Sequence, residues 1–370
     1  MPMLKRIRIA GWKSIKDQAI DLQPLNVVIG ANGAGKSNLL SFFQLLRAVS
    51  LNDVARLVAR AGGASAVLHH GPKTTSAIVG EMEFSAELGL ERHEFRLAFA
   101  GGDKLIFDSE SFSEPKAESP QNKVHHRAVG GQFPRASQGG EIPDGEPAAT
   151  IHRRLSGIRV YHFHDTSETA RARLAGYVED NRGLSSDAGN LPAILYLLRN
   201  QYGANYRRIT GAVRSVMPDF DDLVLEPQQA APQNILLNWR QKESDYLFGP
   251  HQFSDGSLRF IALATLLNQP AELLPSVIVI DEPELGLHPA ALSLLGGMLR
   301  SVSHRCQVVV ATQSVALLDE FQPDEVIVAE MHRSESQFRQ LDSGAIAEWL
   351  ETYSLSQLWE KNVIGGGPFG

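Results

Sequence analysis

Cysteine is nearly absent: Cys306 is the one thiol in 370 residues. That excludes an internal disulfide framework and any cysteine-based zinc cluster. No apolar run approaches the roughly 18 residues of a membrane-spanning helix. Met1–Lys16 lacks the apolar segment of a secretory signal. The expectation is a cytoplasmic protein with no membrane association. Positive charge is not in excess: 35 Lys and Arg stand against 42 Asp and Glu, a formal net charge of −7. A basic nucleic-acid coat is thereby excluded, and any nucleic-acid contact must be a local patch. Internal repeats and sustained heptads are missing, so no long coiled coil is expected. One absence is local. From Ala188 to Pro218 the chain holds no Asp or Glu. What is present is ordinary for a globular protein. Hydrophobic residues make up 43% and charged residues 21%, enough to bury a core and too apolar for a disordered chain. The length suits two domains or one large one.

The order of elements can be read from apolar spacing. Leu4, Ile7 and Ile9 alternate with basic residues, and Leu25–Ile29 is a short apolar run between Pro24 and Gly30. Such a run fits a buried parallel strand. Leu39, Phe42, Phe43, Leu46 and Val49 then recur at helical spacing, so residues 25–49 read strand, loop, helix. Residues 77–112 alternate as strands around a Gly101-Gly102 turn. Residues 113–150, rich in Pro, Gly, Ser and Gln, read as a mobile surface loop. Ile158–His164 reads as a strand, 168–217 as a helical region, and Leu223–Leu225 and Ile235–Leu237 as strands again. Further on, Val277–Ile280, Val308–Ala311 and Val326–Ala329 read as buried strands alternating with helices, the pattern of a parallel sheet.

The strongest chemical signal is Gly30-Ala31-Asn32-Gly33-Ala34-Gly35-Lys36-Ser37, followed by Asn38. It fits G-x-x-x-x-G-K-[ST] between a buried strand and an amphipathic helix. Glycines let consecutive N–H groups face one anion, and the helix N-terminus adds its dipole. In this pattern Lys36 reaches the β- and γ-phosphates and the Ser37 hydroxyl binds Mg²⁺. A second signal is Val277–Ile280 running into Asp281 and Glu282. At the carboxyl edge of a parallel sheet, Asp281 would face the cation and Glu282 an attacking water. Two weaker elements follow. Ser254-Asp255-Gly256-Ser257 is either an anion-binding helix start or a plain N-cap. Thr312-Gln313-Ser314, after a buried strand, is either a γ-phosphate sensor or the cap of the next helix.

In order and spacing these elements resemble the ABC-type ATPases of the RecF/SMC/OLD-like branch, the AAA-family ATPases of bacterial genome-maintenance and defence loci. Gly30–Ser37 matches Walker A, Ser254–Ser257 the signature, and Val277–Glu282 Walker B with its glutamate. Glu284-Leu285-Gly286-Leu287-His288-Pro289 resembles the D-loop, and Gln313 stands where transporters carry His. Gly11-Trp12-Lys13-Ser14 resembles the first strands of the branch. The Q-loop finds its nearest candidate within His162–Thr166. The resemblance implies an α/β fold, an ABC-type P-loop ATPase head with an antiparallel β subdomain and a small helical insertion. It divides the chain into 1–165, the N-terminal part of the head with the 113–150 loop; 166–218, the helical insertion; 219–335, the C-terminal part; and 336–370, a helical tail. It implies ATP and Mg²⁺ as cofactors. Glu282, Lys36 and Gln313 would be catalytic. Asn32, Gly33, Ala34, Gly35, Lys36, Ser37, Asn38 and Ser254, Asp255, Gly256, Ser257 would bind nucleotide, with Ser37 and Asp281 on the metal. It also implies a homodimer that sandwiches ATP, the signature Ser of one copy meeting the γ-phosphate held by the other.

The acid-free stretch carries Arg199, Arg207, Arg208 and Arg214 with Tyr196, Tyr202 and Tyr206. Arginine interleaved with aromatics suits DNA or RNA backbone contact with stacking. The blander reading is a solvated helix face, a protein contact, and tyrosines capping a core. His162, His164 and Asp165 are metal ligands by type, but without a third His or Cys a structural or nucleotide-proximal role is expected. His69-His70 and His125-His126 read as solvated loop residues, and Cys306 as a packed thiol. The amphipathic stretch Ile346–Trp359 packs on its own domain or docks a partner. The resulting expectation is an ATPase that regulates a separate, nuclease-like effector in antiphage defence. The alternatives are a nucleic-acid clamp in DNA repair or replication, and an ATP-holding scaffold, against which Glu282 argues.

Overall fold

Side-chain alternation along the buried strands decides the layering. The computed structural model describes residues 3–86, 89–116, 119–128 and 147–367. Its central six-stranded sheet runs Glu335–Gln340, Val326–His332, Leu25–Ile29, Gln307–Ala311, Val277–Asp281, Ile158–Tyr161. All neighbours are parallel except the edge pair Glu335–Gln340 with Val326–His332. Val28, Val279, Val309 and Ile327 turn to one face. Val27, Ile29, Ile278, Ile280, Val308 and Val310 turn to the other. Both faces are covered, so the strands read as unbroken apolar runs. Each fully buried Val or Ile contributes about 1.5–3 kcal/mol. Asn26, polar within such a run, is satisfied: its Nδ2 donates to Gln23 O at 2.7 Å and Val308 O at 3.1 Å.

On the first face lies helix Lys36–Leu51, and beyond it an antiparallel sheet. That sheet runs Ile15–Asp21, Leu4–Trp12, Ala77–Ala86, Gly89–Ala100, Lys104–Lys116, Ser119–Ala128. Phe42 of the helix meets Trp12 edge-on, ring centroids 6.2 Å apart, and lies over Phe95 at 6.5 Å. The helix is therefore clamped between two sheets. Helices Leu191–Gln201, Gly203–Val216, Asp255–Leu267 and Pro289–Ser303 cover the second face. The first two share one core with the last two, through Leu195, Leu198, Ile209 and Val213 against Phe260, Leu263 and Leu299.

Several sequence expectations change here. Of the loop expected at 113–150, residues 117–118 and 129–146 lie outside the described residues. The rest is regular: Lys104–Lys116 and Ser119–Ala128 pair antiparallel, and a helix spans Pro147–Ser156. His125 and His126 therefore sit in a strand. Backbone pairing to a neighbouring strand overrides the poor strand propensity of Pro, Ser and Gln. The helical region expected from 168 begins at Leu191; before it come a short 3₁₀ turn, Arg171–Arg173, and a two-residue strand, Gly176–Tyr177. His69 is buried, its Nδ1 2.8 Å from Lys13 O. The tail packs on its own domain: Leu355, Leu358, Trp359 and Ile364 join the second-face core, while Trp349 stays exposed. Cys306 is buried as expected, and burial pushes its thiol up to about 12.

Candidate nucleotide-binding site

Strand register brings the motif ends to one edge. Asp281 lies beside Ala311, and Ala311 beside Val28. The phosphate loop, the Thr312-Gln313 turn and the paired carboxylates thus leave the sheet side by side, at its carboxyl edge. Gly35 caps helix Lys36–Leu51 with φ +101°, a left-handed conformation that favours glycine. A Cβ there would stand 1.9 Å from Ser336 Oγ. Ser336 Oγ in turn lies 2.6 Å from Ser14 Oγ, which accepts from Asn38 Nδ2 at 2.7 Å. Asn32 and Gly33 are exposed at the loop tip, while Ala34 and Gly35 are buried beneath it. The glycine backbone and the helix N-terminus form the cradle that a phosphate group requires.

Lys36 is buried, and its Nζ donates to Gly30 O at 2.6 Å and Ala31 O at 3.1 Å. Burial pulls its pKa down, against the pull of Glu282, Asp281 and Glu284. Ser37 Oγ is 3.5 Å from Asp281 Oδ2. Burial pushes the Asp281 carboxyl up; Glu282 adds to this, while His162, His164 and Lys36 oppose it. Glu282 has φ +45° and donates its N–H to Ala311 O at 2.8 Å. Its Oε1 accepts the side-chain amide of Gln313. Gln313 N–H donates to Glu284 Oε1 at 2.9 Å. Glu284 is deeply placed, and burial raises its pKa against hydrogen bonds from Thr312 and Gln313.

Two histidines stand next to this edge because Ile158–Tyr161 pairs with Val277–Ile280. His162 Nε2 accepts from Gln44 Nε2 at 3.3 Å, and burial lowers its pKa, so it is neutral at pH 7. His164 Nε2 donates to Asp281 O at 3.1 Å. The nucleotide-proximal reading fits their position, and no single residue of motif type would have assigned it. Glu284 was visible only as part of a D-loop; its reach to the Gln313 turn is a tertiary fact.

Ser254 caps helix Asp255–Leu267, its Oγ accepting Ser257 N–H at 3.1 Å and lying 2.8 Å from Ser257 Oγ. The N-cap reading therefore holds geometrically, with the helix N-terminus at the surface. Asp255 is paired to Arg173 Nη2 at 2.9 Å. A Cβ on Gly256 would meet Gly286 O at 2.4 Å. Two buried arginines hold this region. Arg173 donates to Thr166 O, Pro250 O and Phe253 O at 2.9, 2.7 and 3.0 Å. Arg259 donates to Phe163 O at 2.7 Å, His164 O at 3.1 Å and Leu285 O. Arg259 was the more legible of the two, as a lone charge inside the apolar run Leu258–Leu267.

The arginine set divides. Arg207 and Arg208 are exposed; Arg214 Nε donates to Asp221 O at 2.8 Å. Arg199 lies on the preceding helix, so it shares no helix face with Tyr206. Tyr206 is buried and donates to Asp222 Oδ1 at 2.8 Å, while Tyr196 and Tyr202 pack on the core. Tyr206 thus belongs to the core, and Tyr196 and Tyr202 are half-buried at its edge.

A family model described as "AAA domain, putative AbiEii toxin, Type IV TA system" matches residues 25–319. No curated protein sequence matches the chain. Among solved structures, an SMC head bound to the C-terminal winged-helix domain of ScpA is 15% identical with a TM-score of 0.62, covering 94% of this chain and 99% of that one. An SMC head with an extended coiled coil, bound to the C-terminal domain of ScpA and derived from Pyrococcus furiosus, gives 14% and 0.62, covering 95% and 99%. One with a coiled coil and joint from Pyrococcus yayanosii gives 11% and 0.57, covering 95% and 99%. At these identities the likeness establishes the fold alone, that of an SMC head domain.

Proposed function

The chain belongs to the AAA-domain family whose model spans residues 25–319, and on that premise we propose that it hydrolyses ATP with Mg²⁺, acts as a nucleotide-sandwiched dimer, and regulates a separate effector. The observation that carries this reading is the convergence of Ser37, Asp281, Glu282 and Gln313 beside Lys36. Ser37 Oγ and Asp281 Oδ2, 3.5 Å apart, are the hard oxygen donors Mg²⁺ takes. A bound cation would neutralise phosphate charge. Lys36 exchanges the carbonyls of Gly30 and Ala31 for phosphate oxygens. Gly33 and Gly35 shape the backbone that faces them. Glu282 accepts the proton of the attacking water, held in orientation by Gln313. Gln313 does not titrate near neutrality, so it positions without a pH switch of its own. Ser254 and the helix start behind it receive a phosphate carried by the second copy. His162 and His164 border the cation side through Asp281.

The effector half of the reading draws support from two names. The family description includes a toxin of a type IV toxin–antitoxin system, which fits antiphage defence. Two SMC heads of this fold were solved with a domain of a partner, ScpA. The exposure of Arg207 and Arg208 favours the second reading, a nucleic-acid clamp in repair or replication. Steady-state ATP hydrolysis with and without DNA tests the choice. Stimulation by DNA that disappears in the Arg207→Glu, Arg208→Glu double variant establishes the clamp. No DNA effect, with an effector co-purifying, establishes the regulator. Glu282→Gln should trap an ATP-bound dimer on gel filtration; an exclusively monomeric elution with ATP sinks the sandwich. Lys36→Ala should abolish ATP binding by calorimetry, and unchanged binding removes the assignment of the loop.

A further inference from the structure

A cavity of about 930 Å³ lies at the far end of the central sheet from the phosphate loop. Its wall includes Ile158, Val277 and Gln307, the first residues of three parallel strands. This is in the size range of small-molecule sites, and nothing in the ATPase reading uses it. Arg154, Arg159, Arg182 and Arg305 line it, and among the described lining residues Glu272 is the only acid. Arg159 and Arg305 donate to backbone carbonyls: Ser156 O and Ile158 O for the first, Gln269 O and Leu267 O for the second. Carbonyls satisfy donors without cancelling charge. Arg154 pairs with Glu91 at 2.9 Å. Burial pulls the pKa of Arg154 and Arg305 down, the mark of positive charge held at a cost that an anion would offset. Arg208, on helix Gly203–Val216, is near enough to Arg305 for their charges to repel.

Gln307 adds a second, independent feature. It is 5% exposed, and its Nε2 donates to Leu4 O at 2.8 Å and Gln23 O at 2.9 Å. Those bonds fix Oε1 as an acceptor, and that oxygen is buried with no hydrogen-bond partner among the described residues. A buried acceptor left unpaired costs roughly 1–3 kcal/mol, so a turn of the Gln307 side chain that brings this oxygen to the cavity wall and pairs it with a ligand donor is favoured. Phe84 and Leu274 supply apolar wall.

We propose that this cavity binds a nucleoside phosphate, either a free nucleotide or the terminal nucleotide of a strand. The arginines take the phosphate, the apolar wall takes the base, and Gln307 Oε1, once turned to the cavity wall, takes an amino or hydroxyl donor. The inference stands apart from the ATPase reading. It is tested by fluorescence anisotropy with labelled AMP and with a short labelled DNA strand in 5′-phosphorylated and 5′-hydroxyl forms. Proteins are the parent chain, Lys36→Ala, Arg182→Glu and Gln307→Leu. Saturable binding is expected in the parent and in Lys36→Ala alike, weakened roughly tenfold or more by Arg182→Glu, as for loss of a charge-assisted contact. Arg182 is exposed, so that variant keeps its fold, and unaltered ATP hydrolysis verifies it. Binding of AMP identifies a free nucleotide as the source; binding only of the phosphorylated strand identifies a strand end. No saturable binding, binding indifferent to both Arg182→Glu and Gln307→Leu, or binding lost in Lys36→Ala overturns the proposal. The last outcome would place the probe in the phosphate loop.

Discussion

Glu284 Oε1 accepts the backbone N–H of Gln313 at 2.9 Å, and the side chain of that same Gln313 donates to Glu282. The half-buried Glu284 carboxylate therefore sets the backbone from which Gln313 reaches Glu282. Truncating it should disturb the geometry of hydrolysis and leave the phosphate loop intact. Glu284→Ala is expected to lower kcat roughly ten- to a hundredfold, as misplaced catalytic groups do, with KM for ATP little changed. Glu284→Gln keeps an acceptor oxygen and should stay near the parent. A rise in KM with kcat preserved would refute the positioning role.

The same residue gives a pH dependence. Burial raises the Glu284 carboxyl above its ordinary value, so the folded chain holds this proton more firmly than the unfolded chain. Between the ordinary and the raised value, stability contributed by this group falls as pH rises. Glu284→Gln removes the buried charge. Its melting temperature relative to the parent should therefore be higher at pH 8 than at pH 5. A difference independent of pH would contradict the assignment.

Gly35 and Ser336 are coupled by contact. Gly35→Ala adds strain of about 1–3 kcal/mol at a left-handed position and drives a methyl into the Ser336 side chain. Loss of ATP binding and a lowered melting temperature are expected. Adding Ser336→Gly should restore part of the stability, because the overlap is relieved while the backbone strain stays. Strict additivity of the two changes in calorimetry would show that they do not meet.

Arg173 is a cleat for the signature region. Its fork reaches three carbonyls and Asp255, and its side chain is 5% exposed. Arg173→Ala leaves the three carbonyls unpaired, while Asp255 stays in solvent, and should cost about 1–3 kcal/mol or more. Arg173→Lys should recover little, since a point charge cannot replace a planar fork. Denaturant unfolding measures both, and full rescue by lysine would show that charge alone matters.

Trp359, fully buried, donates its indole N–H to Gly366 O at 2.6 Å. Trp359→Ala is expected to cost about 3–5 kcal/mol. It should also weaken ATP binding, because a Cβ on Gly366 would lie 3.5 Å from Gly30 Cα at the head of the phosphate loop. Unfolding curves and KM give the two readouts.

The parts legible in the sequence were those whose chemistry is local. Gly30–Ser37 and Val277–Glu282 each carry strand, turn and chemical group within a few residues, so periodicity and residue type were enough. His162 and His164 beside Asp281, or Ser14 against Ser336, depend on strand pairing across more than a hundred residues, which no local pattern encodes. The strand pairing beyond Phe112, through Ala128, was hidden because its residues have weak strand propensity and owe their state to a paired neighbour. Arg173 gave no signal, since three of its partners are backbone carbonyls that every sequence has and the fourth, Asp255, lies 82 residues away. Tyr206 does not share one surface with Tyr196 and Tyr202, because a helix boundary at Tyr202 intervenes and Tyr206 turns inward.

The packing of Gly366 over Gly30 has a consequence for biosynthesis. The ribosome makes the phosphate loop 336 residues before its covering glycine. At roughly 5–20 residues per second, that interval is on the order of tens of seconds. Asp281, the partner of Ser37, also arrives late. A nascent chain thus displays a complete glycine-rich motif that lacks both its acidic partner and its cover. The proposed ATP binding is expected only after the tail emerges, and a ribosome-bound chain arrested earlier should retain no labelled ATP.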